Sequence, residues 1–155
     1  NLNRLSAEAL QTDGNGANEI KDGMDIALCS IDQNTLELEF AGAHNPAWIF
    51  RGSELHCLEP DHFAIGSFNY GEKDYQDRKF QLEKGDRLYL FSDGYQDQFG
   101  GPKGKKFMKK RFREYLISLQ EEPFSHHLSK LEHSLDEWQG EEEQVDDVLI
   151  IGIEI

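Results

Sequence analysis

The stretch from Val145 to Ile155 constrains the fold more than any other part of this 155-residue chain. Seven of its eleven residues are Val, Leu or Ile, and none is Pro. Such a run reads as a β-strand buried over most of its length. Two adjacent carboxylates, Asp146 and Asp147, stand at its start. Buried strands do not open on paired charges unless those charges face solvent or bind something. A second stretch has the same shape: Arg87 to Ser92 is mostly apolar, and Asp93-Gly94 then breaks it. Two apolar strands, each with an acid at one end, are what a hard-metal site between neighbouring strands would look like. The sequence therefore nominates Asp93 and Asp146 as sharing a divalent cation.

The rest of the chain can supply a core for such strands. Its length fits a single domain over residues 1–155, and apolar residues make up 37%, with ten Phe and two Trp among them. No run approaches the ~20 apolar residues of a membrane-spanning helix, and no signal peptide is evident at the start. The net charge of −14 argues against nucleic acid as the main partner, because phosphate backbones attract Lys and Arg. Cys29 and Cys57 both lie in apolar, strand-like surroundings. They read as small buried residues of a protein kept in a reducing compartment, the cytoplasm, rather than as a disulfide or a metal pair.

In chain order, Leu2, Leu5, Ala9 and Leu10 fall at helical spacing, and residues 12–18 read as a loop. Residues 24–31 form a predicted strand, followed by a turn at Gln33-Asn34. Leu36, Leu38 and Phe40 alternate with polar or small residues, which predicts a strand with one wet face. Further strands are predicted over residues 47–50 and 55–58. Their short spacing suggests that these four form one antiparallel meander. A loop over 61–72 precedes strands at 75–82 and 87–92. Gly100 to Gly104 reads as a loop. Two helices follow, marked by Phe107, Met108, Phe112, Tyr115, Leu116 and Leu119, then by Phe124, Leu128, Leu131, Leu135 and Trp138. Pro123 suits the first turn of the second helix, and Gly140 its end. The order is that of an α+β fold with a mostly antiparallel sheet.

Other residues compete for a chemical role. Two carboxylates cannot complete the shell of Mg²⁺ or Mn²⁺, and Asp13, Asp22, Asp25 and Asp97 are the candidates for a third. Asp97 is as well explained by hydrogen bonds to its own loop. His44, in a turn between strands, is either a structural hydrogen-bonder or a general acid. His126 and His127 read as surface or packing residues. The glycine-rich segment before Lys105-Lys106 lacks the spacing of a nucleotide-binding loop, although its lysines could guide a phosphorylated substrate.

Five stretches in series carry a resemblance. They are Asp22 to Cys29, Phe40 to Pro46, Phe91 to Tyr95, Gln98 to Phe107, and Gln144 to Leu149. In this order they resemble the stage II sporulation protein E type of bacterial serine/threonine phosphatase, within the metal-dependent type 2C (PPM) superfamily. The resemblance implies a sandwich of antiparallel sheets flanked by helices. It also implies a binuclear Mn²⁺ or Mg²⁺ centre whose water attacks phosphoserine or phosphothreonine. Asp93 matches the family's Ser-Asp-Gly metal ligand, and Asp146 the acid of its C-terminal Asp-Asp motif. The implied partners are a phosphorylated protein, such as an anti-sigma-factor antagonist, and sensor or repeat modules on the N-terminal side.

One family motif has no counterpart. The Asp-x-x-Gly-His-Gly-like strand end, which supplies the acid bridging both metals, is absent from these 155 residues. The expectation is therefore a phosphatase domain incomplete at its N-terminus, inactive alone, with uncovered sheet surface that favours a homodimer. The alternative is a non-catalytic module of the same fold that docks phosphoproteins.

Overall fold

The computed structural model describes residues 23–65 and 74–155. The expected helix at Leu2 to Leu10, the loop over 12–18, and Asp13 and Asp22 lie outside them. The chain divides into two compact units, one of residues 1–47 and 58–82, the other of 48–57 and 83–155.

The first unit is built on a three-stranded antiparallel sheet. Strand β1 (Ile26–Ile31) pairs with β2 (Glu37–Ala43), and β2 pairs on its other side with β5 (Arg78–Gln81). The alternation seen in the sequence sets the faces of β2: Leu38 and Phe40 are buried, while Glu37 and Glu39 are exposed. Lys79, across on β5, holds both glutamates at 2.9 and 2.7 Å. The β1–β2 turn is closed by Asp32, whose Oδ1 accepts the amides of Asn34 (2.8 Å) and Thr35 (3.0 Å). These bonds, that from Thr35 foremost, hold its carboxyl below the ordinary range. At the other end of β2, the His44 amide donates to the Asp61 carbonyl and the Asp61 amide to that of Gly42. The backbone of His44 carries this turn at φ 61°, and its side chain is exposed.

The second unit carries a four-stranded sheet in the order β4-β3-β6-β9, from β3 (Ala47–Arg51), β4 (Glu54–Leu58), β6 (Arg87–Phe91) and β9 (Ile150–Glu154). The expected meander is thus corrected: the first four strands divide between two sheets, and β2 takes β5 as its second neighbour. Two elements went unforeseen, a short helix α1 (Gly94–Asp97) and a hairpin of β7 (Phe99–Gly100) with β8 (Lys105–Lys106). Then follow α2 (Lys109–Leu119), a 3₁₀ turn (Phe124–His126) and α3 (His127–Gln139), which ends at Gly140 with φ 57°.

Phe112, Leu116 and Leu119 lie on one face of α2, at helical spacing. They join Trp48, Phe50, Tyr89, Phe91, Tyr95, Phe107 and Leu131 in one buried cluster. Trp48 meets Phe91 edge-on, with ring centroids 4.6 Å apart, and Phe91 meets Phe112 at 5.0 Å. Leu128, expected on the inner face of α3, is 64% exposed. His127, one residue earlier, takes the inner place and accepts or shares a proton with the Tyr89 hydroxyl at 2.6 Å. Asp86 is buried in the turn before β6 and paired with Arg51 through two bonds of 2.9 and 2.8 Å. Burial pushes its carboxyl up. The Arg51 guanidinium and the Glu83 amide more than reverse this and hold it below the ordinary range.

Strand β9 departs most from expectation. Only Ile150–Glu154 is strand, and it lies at the sheet edge with an exposed row of Leu149 (58%), Ile151 (44%) and Ile153 (37%). The two cysteines are half-buried and form no disulfide, and burial pushes the Cys29 thiol up to about 11.

Candidate metal centre

The site is positioned by the pairing of β6 with β9, which is antiparallel and sets Phe91 opposite Ile150. The residues just beyond β6 therefore lie beside those just before β9. Ser92 joins the two tips. Its amide donates to the Leu149 carbonyl at 3.0 Å, and its hydroxyl donates to the Asp147 carbonyl at 2.7 Å. The Leu149 amide in turn donates to the Ser92 hydroxyl oxygen at 3.0 Å. Gly94 lets the chains approach, since a Cβ there would collide with the Asp147 carbonyl. Asp93, between these two residues, is exposed, as are Asp146 and Asp147. Two acidic stretches far apart in sequence are thus brought to one end of the same strand pair.

Asp93 precedes α1 without a side-chain cap bond to it. Asp146 Oδ1 accepts the Asp147 amide at 2.7 Å, and the Asp146 carbonyl accepts the Gln144 side-chain amide at 2.7 Å. Hard oxygen donors of this kind suit Mg²⁺ or Mn²⁺. Among the described residues, however, no group of three or more His, Cys, Asp or Glu is placed to hold a metal. The oxygen donors present suit such a cation in kind, and two carboxylates alone do not complete its shell.

The other sequence candidates go elsewhere. Asp97 binds Lys106 Nζ at 2.7 Å, tying α1 to β8. Asp25 is exposed just before β1, in the first unit. Sequence reasoning missed Ser92 as the link between tips, and Gln98 as a brace. Gln98 is wholly buried, and its Nε2 donates to the Glu143 carbonyl at 2.9 Å, just before the acidic stretch. Its backbone carbonyl accepts the Trp138 indole at 3.0 Å. No local pattern announces either role, because both depend on where the chain returns.

Solved structures similar to the chain include a PP2C domain and other phosphatases. The SiaA-PP2C domain of Pseudomonas aeruginosa is 31% identical with a TM-score of 0.77, over 84% of this chain and 51% of that one. The phosphatase domain of the cell fate determinant SpoIIE from Bacillus subtilis is 20% identical, TM-score 0.61, over 84% and 58%. The S. agalactiae serine/threonine phosphatase is 18% identical, TM-score 0.63, over 97% and 64%. The latter two likenesses show the fold. The chain belongs to the stage II sporulation protein E (SpoIIE) family, whose profile matches residues 1–155. No curated protein matches it significantly. The chain spans about half the length of the SiaA structure. Among the described residues no helix is long and apolar enough to cross a membrane.

Proposed function

We propose that the chain is the greater part of a metal-dependent protein serine/threonine phosphatase domain of a bacterial signalling protein. The observation that carries this reading is the Ser92 link, which sets Asp93 and the Asp146-Asp147 pair at adjoining strand tips. Asp93 and Asp146 would hold Mn²⁺ or Mg²⁺. Such a metal, when bound, acidifies a water for attack on a phosphoryl group and steadies the charge that develops there. Asp93 and Asp146 fix the cation, Ser92 and Gly94 hold the two tips in register, and Gln98 braces the approach to Asp146. In this reading the two carboxylates alone would bind metal weakly and support little turnover, because two do not complete the shell of such an ion. The active form needs a further carboxylate, from outside the described residues.

The substrate in this reading is a phosphorylated protein, of which an anti-sigma-factor antagonist is one form. A cytoplasmic setting agrees with two cysteines that form no disulfide. The experiment is Mn²⁺ titration by calorimetry together with phosphopeptide hydrolysis, on the intact protein and its Asp93→Asn variant. Metal binding and turnover that both fall by about a hundredfold or more support the reading. Unchanged Mn²⁺-dependent turnover in Asp93→Asn overturns it. Metal-independent phosphopeptide binding without turnover would instead favour a docking module of the same fold.

A further inference from the structure

A cleft of about 660 Å³ lies in the second unit, between the loop before β8, the start of α2 and the end of α3. Its floor is apolar: Pro102, Phe107, Met108 and Trp138. Met108 is 59% exposed and sits at φ 77°, a conformation that an L side chain rarely adopts. The rim is mostly cationic: Lys103, Lys105, Lys106, Lys110 and Arg111 line it beside one acid, Glu114. Seven of the eleven residues from Lys103 to Arg113 are Lys or Arg, and none is acidic. The rest of the chain holds the other nine cations and all thirty acids, 9 − 30 = −21, against +7 in this segment. Few of these cations are neutralised. Lys106 is bound to Asp97, and Lys110 approaches Glu114 only to 3.9 Å. Lys103, Lys105, Lys109 and Arg113 make no ion pair among the described residues. Arg111 lies over the Trp138 ring, its Cζ 4.0 Å from the ring centroid, and walls one side.

We propose that this cleft is a docking site for a short acidic segment of a partner protein, anchored by one apolar side chain. The volume is that of a pocket that takes a side chain, and the apolar floor within a charged rim matches the core and rim of protein interfaces. The charge pattern selects the occupant. A long polyanion such as duplex DNA, or an anionic bilayer, would extend past the cationic segment and meet a surface that is strongly acidic overall. A short acidic segment meets only the rim. The cleft adjoins the candidate metal centre through α1, because the Met108 amide donates to the Gln96 carbonyl and Lys106 to Asp97. Docking requires no catalysis, and so stands apart from the phosphatase reading.

Fluorescence anisotropy of the intact protein tests this, with a short fluorescein-labelled Glu/Asp peptide carrying one central Phe. The expected result is binding that weakens with salt, and about tenfold more weakly in Lys103→Glu/Lys110→Glu. Lys84→Glu, which alters an exposed turn preceding β6, should leave it unchanged, and so should Asp93→Asn. Met108→Glu, at an exposed position, provides a second variant and should also weaken it. Equal binding of the peptide with Gly in place of Phe overturns the proposal. So does unaltered affinity in both cleft variants, or tighter binding of a DNA duplex or of phosphatidylserine vesicles through the same lysines.

Discussion

Gly94 does more for the candidate centre than its lack of a side chain suggests. Any Cβ at that position would drive the Asp147 carbonyl away, and the carbonyl carbon would lie only 2.8 Å off. Gly94→Ala therefore cannot be absorbed by a rotamer change, and the two strand tips must part. The expected cost is about 1–3 kcal/mol of stability, as for other overpacked sites. If the metal reading holds, turnover falls further, by about a hundredfold, because a small misplacement of reacting groups is costly. Thermal unfolding and phosphopeptide hydrolysis of the variant measure the two effects separately, and wild-type values in both would refute this role. The neighbouring acids were legible in the sequence, because a charge against an apolar run stands out. Ser92 was not, since its hydroxyl acquires meaning only from the return of residues 147–149.

At the scale of elements, the stability of the seam between β6 and α3 is expected to depend on pH. His127 is buried against Tyr89, and its Nε2 lies 3.2 Å from the Glu122 carbonyl. Burial, aided by the nearby Arg87 guanidinium, lowers its affinity for a proton below the usual 6.5. A depressed histidine binds fewer protons folded than unfolded. Stability from this group is thus complete above about pH 6.5 and is lost as pH falls below that value towards the folded pKa. The midpoint of thermal unfolding should drop with pH across that window, and drop less in His127→Gln. Equal slopes in the two proteins would exclude His127 as the cause.

Strands and helices were legible as elements because alternation and helical spacing are local. Their partners were not. Residues 47–58 looked like the continuation of a meander, yet β3 joins β6. The run at the chain's end was misread as buried, because an unbroken apolar stretch has no period to tell one covered face from two. α1 has only four residues, too few for any period to show.

For the whole molecule, the exposed row of Leu149, Ile151 and Ile153 on an edge strand is the surface most prone to self-association. The chain is expected to form a homodimer through it. Sedimentation should show a concentration-dependent dimer for wild type and a monomer for Ile151→Lys/Ile153→Lys. A clean monomer at high concentration in both would dismiss the idea. The strong net negative charge limits such association at low salt, so dimer should increase as salt is added.

Among the described residues β9 lies at one edge of its sheet, paired on one side only, so its bonds to β6 can open by local unzipping. One acid of the pair travels with that strand and the other stays with the interior. In the proposed metal reading, a grip on a cation would last no longer than the closed state of the strand's end, which the exchange rates of the Ser92 and Leu149 amides would time. A ligand held there would act as a latch, and would slow exchange along the whole margin of the sheet.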